Sequence, residues 1–213
     1  MSESLTQGRA LIFRIVHRDN VSWILANGMH CRNATIRDPH FMPIGNSDLI
    51  EKRHDRSVPC PPHGTLSDYV PFYFTPFTPM LLNIKTGFNG IRQRPIEEIV
   101  IFVSSLSKLR SQGVPFVFTD RHAYLATAQF SDDLADLGWI DWQILQRRDF
   151  KRDPENPGKF ERYQAEALVY RHLRIDAMLG IMCYSDATRA SVQSDAKACG
   201  CPLQVITRPG WYV

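Results

Sequence analysis

Apolar residues in this chain gather in short runs set between polar, proline-bearing stretches, and most of the runs have the length of a strand rather than a helix. Residues 10–17, Ala-Leu-Ile-Phe-Arg-Ile-Val-His, predict a buried strand ending on His17. Asp19 and Asn20 then offer an N-cap for a helix over 21–27, and Gly28 its stop. Residues 72–74, Phe-Tyr-Phe, predict a strand. Pro76 and Pro79 break it, and Thr78-Pro79 opens a helix with proline in the first position. Two buried strands follow at 98–104 and 114–119, separated by a short helix over 104–112 that Gly113 closes. Weaker helical patterns lie at 127–137 and 142–148. Strands are predicted again at 167–170, 177–184 and 203–207, the last at a sheet edge, with a helix over 185–199 capped by Ser185 or Asp186.

The segments between these elements are unusually long. Residues 31–63 are poor in apolar side chains and rich in Pro, Asn, Asp, His and Arg; within them Ser47 caps a short helix that carries Lys52, Arg53 and Arg56. Residues 124–159 form a second long connection. Short strands mixed with short helices and long loops predict an α+β fold rather than a regular βαβ array. At 213 residues the chain fits one domain, 1–213.

Composition changes this picture little. Hydrophobic content of 44% and charged content of 22% are ordinary, and a net charge of +3 permits an anionic ligand without demanding one. The opening residues lack the basic start and apolar core of a secretory signal, and no apolar run is long enough to span a membrane. Five cysteines, an odd number at irregular spacing, fit a reducing cytoplasm. Cys183, Cys199 and Cys201 lack a matching fourth zinc ligand, so no metal is expected.

The chemistry concentrates at 160–172, Phe-Glu-Arg-Tyr-Gln-Ala-Glu-Ala-Leu-Val-Tyr-Arg-His. Here Glu161, Gln164 and Glu166 lead into an apolar strand. A carboxylate held rigidly at a sheet edge can stabilise positive charge developing on a substrate, although solvated glutamates fit the same pattern. His17, at the end of a strand, is placed either to bond a ligand hydroxyl or to serve structure. The Lys52, Arg53 and Arg56 cluster suits a phosphate, a nucleic-acid backbone or a solvated face. Arg92 and Arg94 sit in a glycine-containing loop that meets neither the Walker nor the Rossmann spacing. Trp139, Trp142, Arg147, Arg148, Phe150, Lys151 and Arg152 interleave aromatics with cations, as single-stranded nucleic acid requires and as a solvated loop with buried anchors also allows.

Taken in order, Ile15-Val-His17-Arg18-Asp19-Asn20, Ile24-Leu-x-x-Gly28, Ile44-Gly-Asn with Lys52-Arg53, Val70-Pro-Phe-Tyr-Phe-Thr-Pro, Pro79-Met-Leu, Phe116-x-Phe-Thr-Asp-x-His122-Ala and Tyr163-Gln-Ala-Glu166 resemble the DarT family, the DNA ADP-ribosyltransferase toxins of DarTG toxin–antitoxin systems. The resemblance runs over nearly the whole chain. It implies an ADP-ribosyltransferase-like fold: a split, twisted β-sheet that binds NAD in a central cleft, with short helices and a substrate-recognition insertion at about 120–166. It implies transfer of ADP-ribose from NAD to a thymine base of single-stranded DNA in a short sequence context, blocking replication.

By that resemblance Glu166 is the catalytic glutamate and Arg53 the arginine assigned to thymine activation. His17, Arg18, Asp19, Gly28, Arg53 and Tyr73 would bind NAD, and His122, Tyr163, Arg147 and Arg148 the DNA. The family mechanism has Arg53 accept the thymine N3 proton, which is awkward for a side chain charged far above neutral pH. Either Arg53 is strongly desolvated, or it stabilises the thymine anion while another group or water takes the proton. Where family members carry an arginine after the aromatic strand, this chain has Phe77. A macrodomain antitoxin partner, monomeric action and no membrane are also expected. The alternatives are a same-fold transferase acting on RNA, guanine or protein, and a catalytically silent nucleic-acid-binding module.

Overall fold

The structure is a computed structural model that describes residues 5–212. The first apolar run forms β1 (Leu11–His17), and the helix that follows, α1 (Val21–Asn27), stops at Gly28 as predicted. Asn20 precedes α1 without capping it. Its side chain instead bonds both backbone groups of Met42, at 2.8 and 2.9 Å, and so ties the long 31–63 connection to the start of the helix. A two-residue strand, β2 (Met29–His30), leads into that connection, whose one α-helix is α2 (Ser47–Lys52). Its cap is Asn46, which accepts from Leu49 N–H at 2.9 Å, one residue earlier than predicted. A 3₁₀ turn, Arg53–Asp55, continues from it.

The aromatic stretch gives β3 (Tyr69–Tyr73), and Thr78 caps α3 (Pro79–Thr86) with Pro79 in the first turn. Then come β4 (Ile99–Ser105), buried at all seven positions, α4 (Leu106–Ser111) and β5 (Phe116–Thr119). The helix expected at 127–137 does not form. Those residues make β6 (Phe130–Ser131) and 3₁₀ turns over Leu134–Trp139. Ser131 Oγ accepts from Asp133 N–H and the Asp133 carboxylate from Ala135 N–H, local bonds that compete with an α-helical ladder. Next are α5 (Trp142–Arg147), α6 (Lys159–Arg162), β7 (Glu166–Tyr170) and β8 (His172–Leu173). β9 (Gly180–Cys183), α7 (Asp186–Ala198, capped by Ser185) and β10 (Val205–Thr207) complete the chain.

Eight strands make one sheet in the order β10-β9-β4-β1-β3-β7-β5-β6, antiparallel throughout except for β9 with the edge strand β10. The sheet is split. β1 pairs with β4 along all seven residues but meets β3 at one pair, Phe13 with Tyr73. Pro71 in β3 lacks the N–H a ladder needs, and its carbonyl accepts instead from the Arg14 guanidinium of β1 at 2.7 Å. An arginine thus pins the two half-sheets where their backbones part.

On the β3-β7-β5 half, side chains alternate between two cores. Val70, Phe72, Ala167, Val169, Phe116 and Phe118 enter the large one, while Tyr69, Leu168 and Val117 enter a small one with Val58, Leu66 and Ala123. Tyr73 and Glu166 stand directly opposite one another in the β3–β7 register, so their side chains emerge side by side on one face of the sheet. Among the described residues no helix is long and apolar enough to cross a membrane.

Gly28 has a positive φ of 78°, and a Cβ there would lie 2.5 Å from His172 Nε2 and 2.6 Å from the Leu173 carbonyl. The glycine therefore lets α1 turn tightly into the β2–β8 ribbon. Gly28→Ala is expected to lower stability by about 1–3 kcal/mol through crowding and left-handed strain, measured as a drop in the urea midpoint with an unchanged slope.

Candidate active site

The seam between β1 and β3 opens into a cleft of roughly 530 Å³. Its floor is strand: Arg14, Ile15 and Val16 on one side, Val70, Pro71 and Tyr73 on the other. The 31–63 connection forms much of the wall, and Arg53, His122 and Glu166 close the end beside Tyr73.

Glu166 begins β7. It belongs to an interior strand, not to a sheet edge as the sequence led us to expect. Its backbone N–H donates to the buried Thr119 hydroxyl at 3.2 Å, and its side chain is 4% exposed. Oε1 accepts from Arg53 Nη1 at 3.0 Å and from the Ala123 N–H at 3.0 Å. Arg53 Nη2 lies 2.9 Å from Oε2, a second ion-pair contact between the two groups. His122 Nδ1 stands 3.5 Å from Oε1.

These neighbours set the charges. Burial alone would push the Glu166 carboxyl up, but the Arg53 charge, then His122 and the two hydrogen bonds, hold it below the ordinary carboxylate range. Burial works against the Arg53 guanidinium too, yet Glu166 outweighs it and keeps Arg53 above its ordinary value. Burial lowers the His122 imidazole. Glu166 opposes that shift, Arg53 adds to it, and the net direction is down. Tyr73 is pushed up to about 12, by burial first and Glu166 second. Arg14, which no sequence argument singled out, is brought down to about 10 by burial, with Tyr73 opposing and Arg53 adding to the effect. At neutral pH the end of the cleft thus presents one carboxylate, two guanidinium ions, a neutral phenol and a neutral imidazole.

Other predicted site residues lie elsewhere. His17 is buried off the cleft walls: Asp19 N–H donates to Nδ1 at 3.2 Å, and Nε2 faces Glu98 at 3.1 Å. Arg94, considered for an anion, sits 3.2 Å from the same nitrogen. Arg18 is bound to Ser191 and Asp195 on α7, and the Asp19 side chain is largely exposed. Gly28 serves the close approach described above. Tyr163 is fully buried, its hydroxyl donating to the Phe77 carbonyl at 2.8 Å. Arg147 is exposed at the end of α5, and the Arg148 guanidinium lies 3.5 Å over the Phe77 ring. The basic cluster is dispersed: Arg53 enters the cleft, Arg56 donates to the Leu125 carbonyl at 3.0 Å, and Lys52 is exposed. Among the described residues no group of three His, Cys, Asp or Glu is arranged to hold a metal, and Cys183, Cys199 and Cys201 are free.

Comparison with known proteins places the chain in a family. A family profile described as "ssDNA thymidine ADP-ribosyltransferase, DarT" matches residues 13–213. A DNA ADP-ribosyl transferase of Escherichia coli O127:H6 is 52% identical over 211 residues, which is 99% of this chain and 97% of that protein. The DarT of Thermus sp. 2.9 in complex with ADP-ribosylated single-stranded DNA superposes with a TM-score of 0.88 at 33% identity over 97% of both chains. The same Thermus protein in complex with NAD+ gives 0.83 at 32% identity, over 96% of this chain and 98% of that one.

Removing Arg53 strands a buried carboxylate. Arg53→Met is expected to cost about 3–5 kcal/mol at neutral pH. Without the cation, burial raises the Glu166 pKa above its unfolded value, so the variant's stability is expected to recover as pH falls towards 5. Urea unfolding of wild type and variant at several pH values measures both effects.

Proposed function

The chain belongs to the DarT family of single-stranded-DNA thymidine ADP-ribosyltransferases, and from that premise we propose how its cleft performs the family's reaction, the NAD-dependent transfer of ADP-ribose to a thymine base. The observation that carries the proposal is the Arg53–Glu166 pair at the closed end of the cleft, with both charged groups aimed at the same space. The cleft residues fit NAD. Arg53 and Arg14 place two guanidinium cations in the cleft lining, which suits an anionic, oxygen-rich ligand.

In this reading Glu166 bonds a hydroxyl of the nicotinamide ribose and stabilises the positive charge that develops as nicotinamide leaves. Its depressed pKa keeps it ionised, and the Ala123 N–H and Arg53 hold its orientation without further rearrangement. Tyr73, paired with Glu166 across the strands, supplies a flat, protonated ring beside it. Arg53, held charged by Glu166, stabilises the anionic thymine rather than taking its proton. The thymine enters from the 120–166 side, past His122.

The proposal extends to physiology. The protein acts as a monomeric toxin in the cytoplasm, is countered by a macrodomain antitoxin and needs no metal. Its DNA contacts weaken steeply with salt if several phosphates are engaged.

Mass spectrometry of short oligonucleotides incubated with NAD tests this. Wild type is expected to add one ADP-ribose to single-stranded, thymine-containing DNA only, with the yield unchanged by a chelator. Glu166→Gln is expected to lose about 10²–10³-fold or more. NAD consumption that needs RNA or protein instead would move the substrate, and no consumption under any condition would leave only a binding module.

A further inference from the structure

Attack by thymine on the ribose requires that N3 lose its proton, and the cleft holds few groups able to receive it. The titratable side chains coupled to Glu166 at the closed end are Arg53, Tyr73 and His122. Arg53 is a cation bound to a carboxylate, and Tyr73 keeps its own proton. Glu166 itself has one oxygen saturated by Arg53 and Ala123 N–H and the other against Arg53, which leaves it a poor base. Among these groups His122 is the neutral base.

Its geometry suits that use. The backbone on either side of the ring is fixed: His122 N–H donates to the Glu161 carbonyl at 3.0 Å, and the His122 carbonyl accepts from Leu125 N–H at 3.1 Å. Nδ1 lies 3.2 Å from Tyr124 N–H and 3.5 Å from Glu166 Oε1. Nε2 has no hydrogen-bond partner among the described residues, and the His122 side chain lines the cleft. With hydrogen on Nδ1, the ring would be turned towards Glu166 Oε1 as a base is oriented by its carboxylate partner.

We infer that His122 is the general base that accepts the thymine N3 proton. The inference rests on the thymidine ADP-ribosyltransferase reading above. In the step, the N3–H bond breaks and its proton goes to Nε2, in the tautomer that carries hydrogen on Nδ1 towards Glu166. The N3 electron pair forms the bond to the ribose anomeric carbon. The glycosidic bond to nicotinamide breaks, and its electrons neutralise the departing ring. The imidazolium so formed sits against Glu166 Oε1 and passes its proton to water. Adopting the reactive tautomer gives up one long bond, from Tyr124 N–H. The charged groups facing His122 are Glu166 on β7, which favours the imidazolium, and Arg53 on the 3₁₀ turn, which limits its lifetime.

The experiment compares wild type, His122→Gln and His122→Ala on oligonucleotides bearing thymine or 5-fluorouracil at the target position, the latter having the more acidic N3–H. Loss of the base is expected to slow transfer to thymine about 10²–10⁴-fold, with the KM for NAD little changed. The deficit should be much smaller on 5-fluorouracil, and added imidazole should restore part of the His122→Ala rate. In wild type the rate should fall with unit slope at acid pH, below the ordinary histidine range, and that limb should vanish in His122→Gln. Equal losses on both bases without imidazole rescue would make His122 a positioning residue and overturn the inference, as would a wild-type-like rate in either variant. If wild type itself leaves no adduct on thymine DNA, the reaction is wrong, and this inference falls with it.

Discussion

A carboxylate buried in a protein remains ionised only while a cation stands against it, and the rest of this molecule is arranged around that condition at Glu166. Withdrawing two charges from water costs several kcal/mol each, so such a pair adds little net stability. What the Arg53–Glu166 contact supplies is a charge fixed in direction. The contact is assembled from three stretches far apart in sequence: the 3₁₀ turn after α2, the start of β7, and the segment that carries both the Thr119 hydroxyl, which anchors the Glu166 backbone, and the Ala123 N–H. The tertiary structure brings them together, and no local preference of any one segment requires it.

The pair is usable because the sheet opens beside it. A continuous β1–β3 ladder would fill the seam with backbone and leave Glu166 inaccessible. Pro71 removes a donor at the critical place, and Arg14 turns the orphaned carbonyl into a strut that spans the gap while leaving room next to it. The same arginine places a second positive charge in the floor of the cleft. One side chain therefore serves both the architecture and the electrostatics of the site.

Much of the fold was legible in the sequence. Short apolar runs bounded by proline, glycine and capping residues marked β1, β4, α3 and α7 because burial and turn chemistry act locally. Glu166 stood out because a charged residue opens a buried strand, and the order of motifs placed Arg53 with it. Other features required the third dimension. Arg14 was hidden inside an apolar run, where its lone charge was the only signal. His17 ends its strand as a ligand-binding histidine would, but periodicity does not say that Glu98 and Asp19 would occupy its ring. Tyr163 and Arg148 have the composition of a nucleic-acid surface, yet both are committed to Phe77, one to its carbonyl and one to its ring. Where the family pattern has an arginine, an aromatic ring receives Arg148 from just beyond α5.

The single-pair junction between β1 and β3 has one more consequence. Unpaired strand edges normally occur at the rim of a sheet, where they invite pairing with other chains and must be guarded. Here the sheet carries such an edge in its middle. Main-chain groups of β1 and β3 are left open towards a cleft of roughly 530 Å³, a space on the scale of a small ligand. The molecule thus keeps the recognition capacity of a bare edge without its aggregation hazard, and the outer strands can remain short, because the part of the sheet meant for contact lies inside.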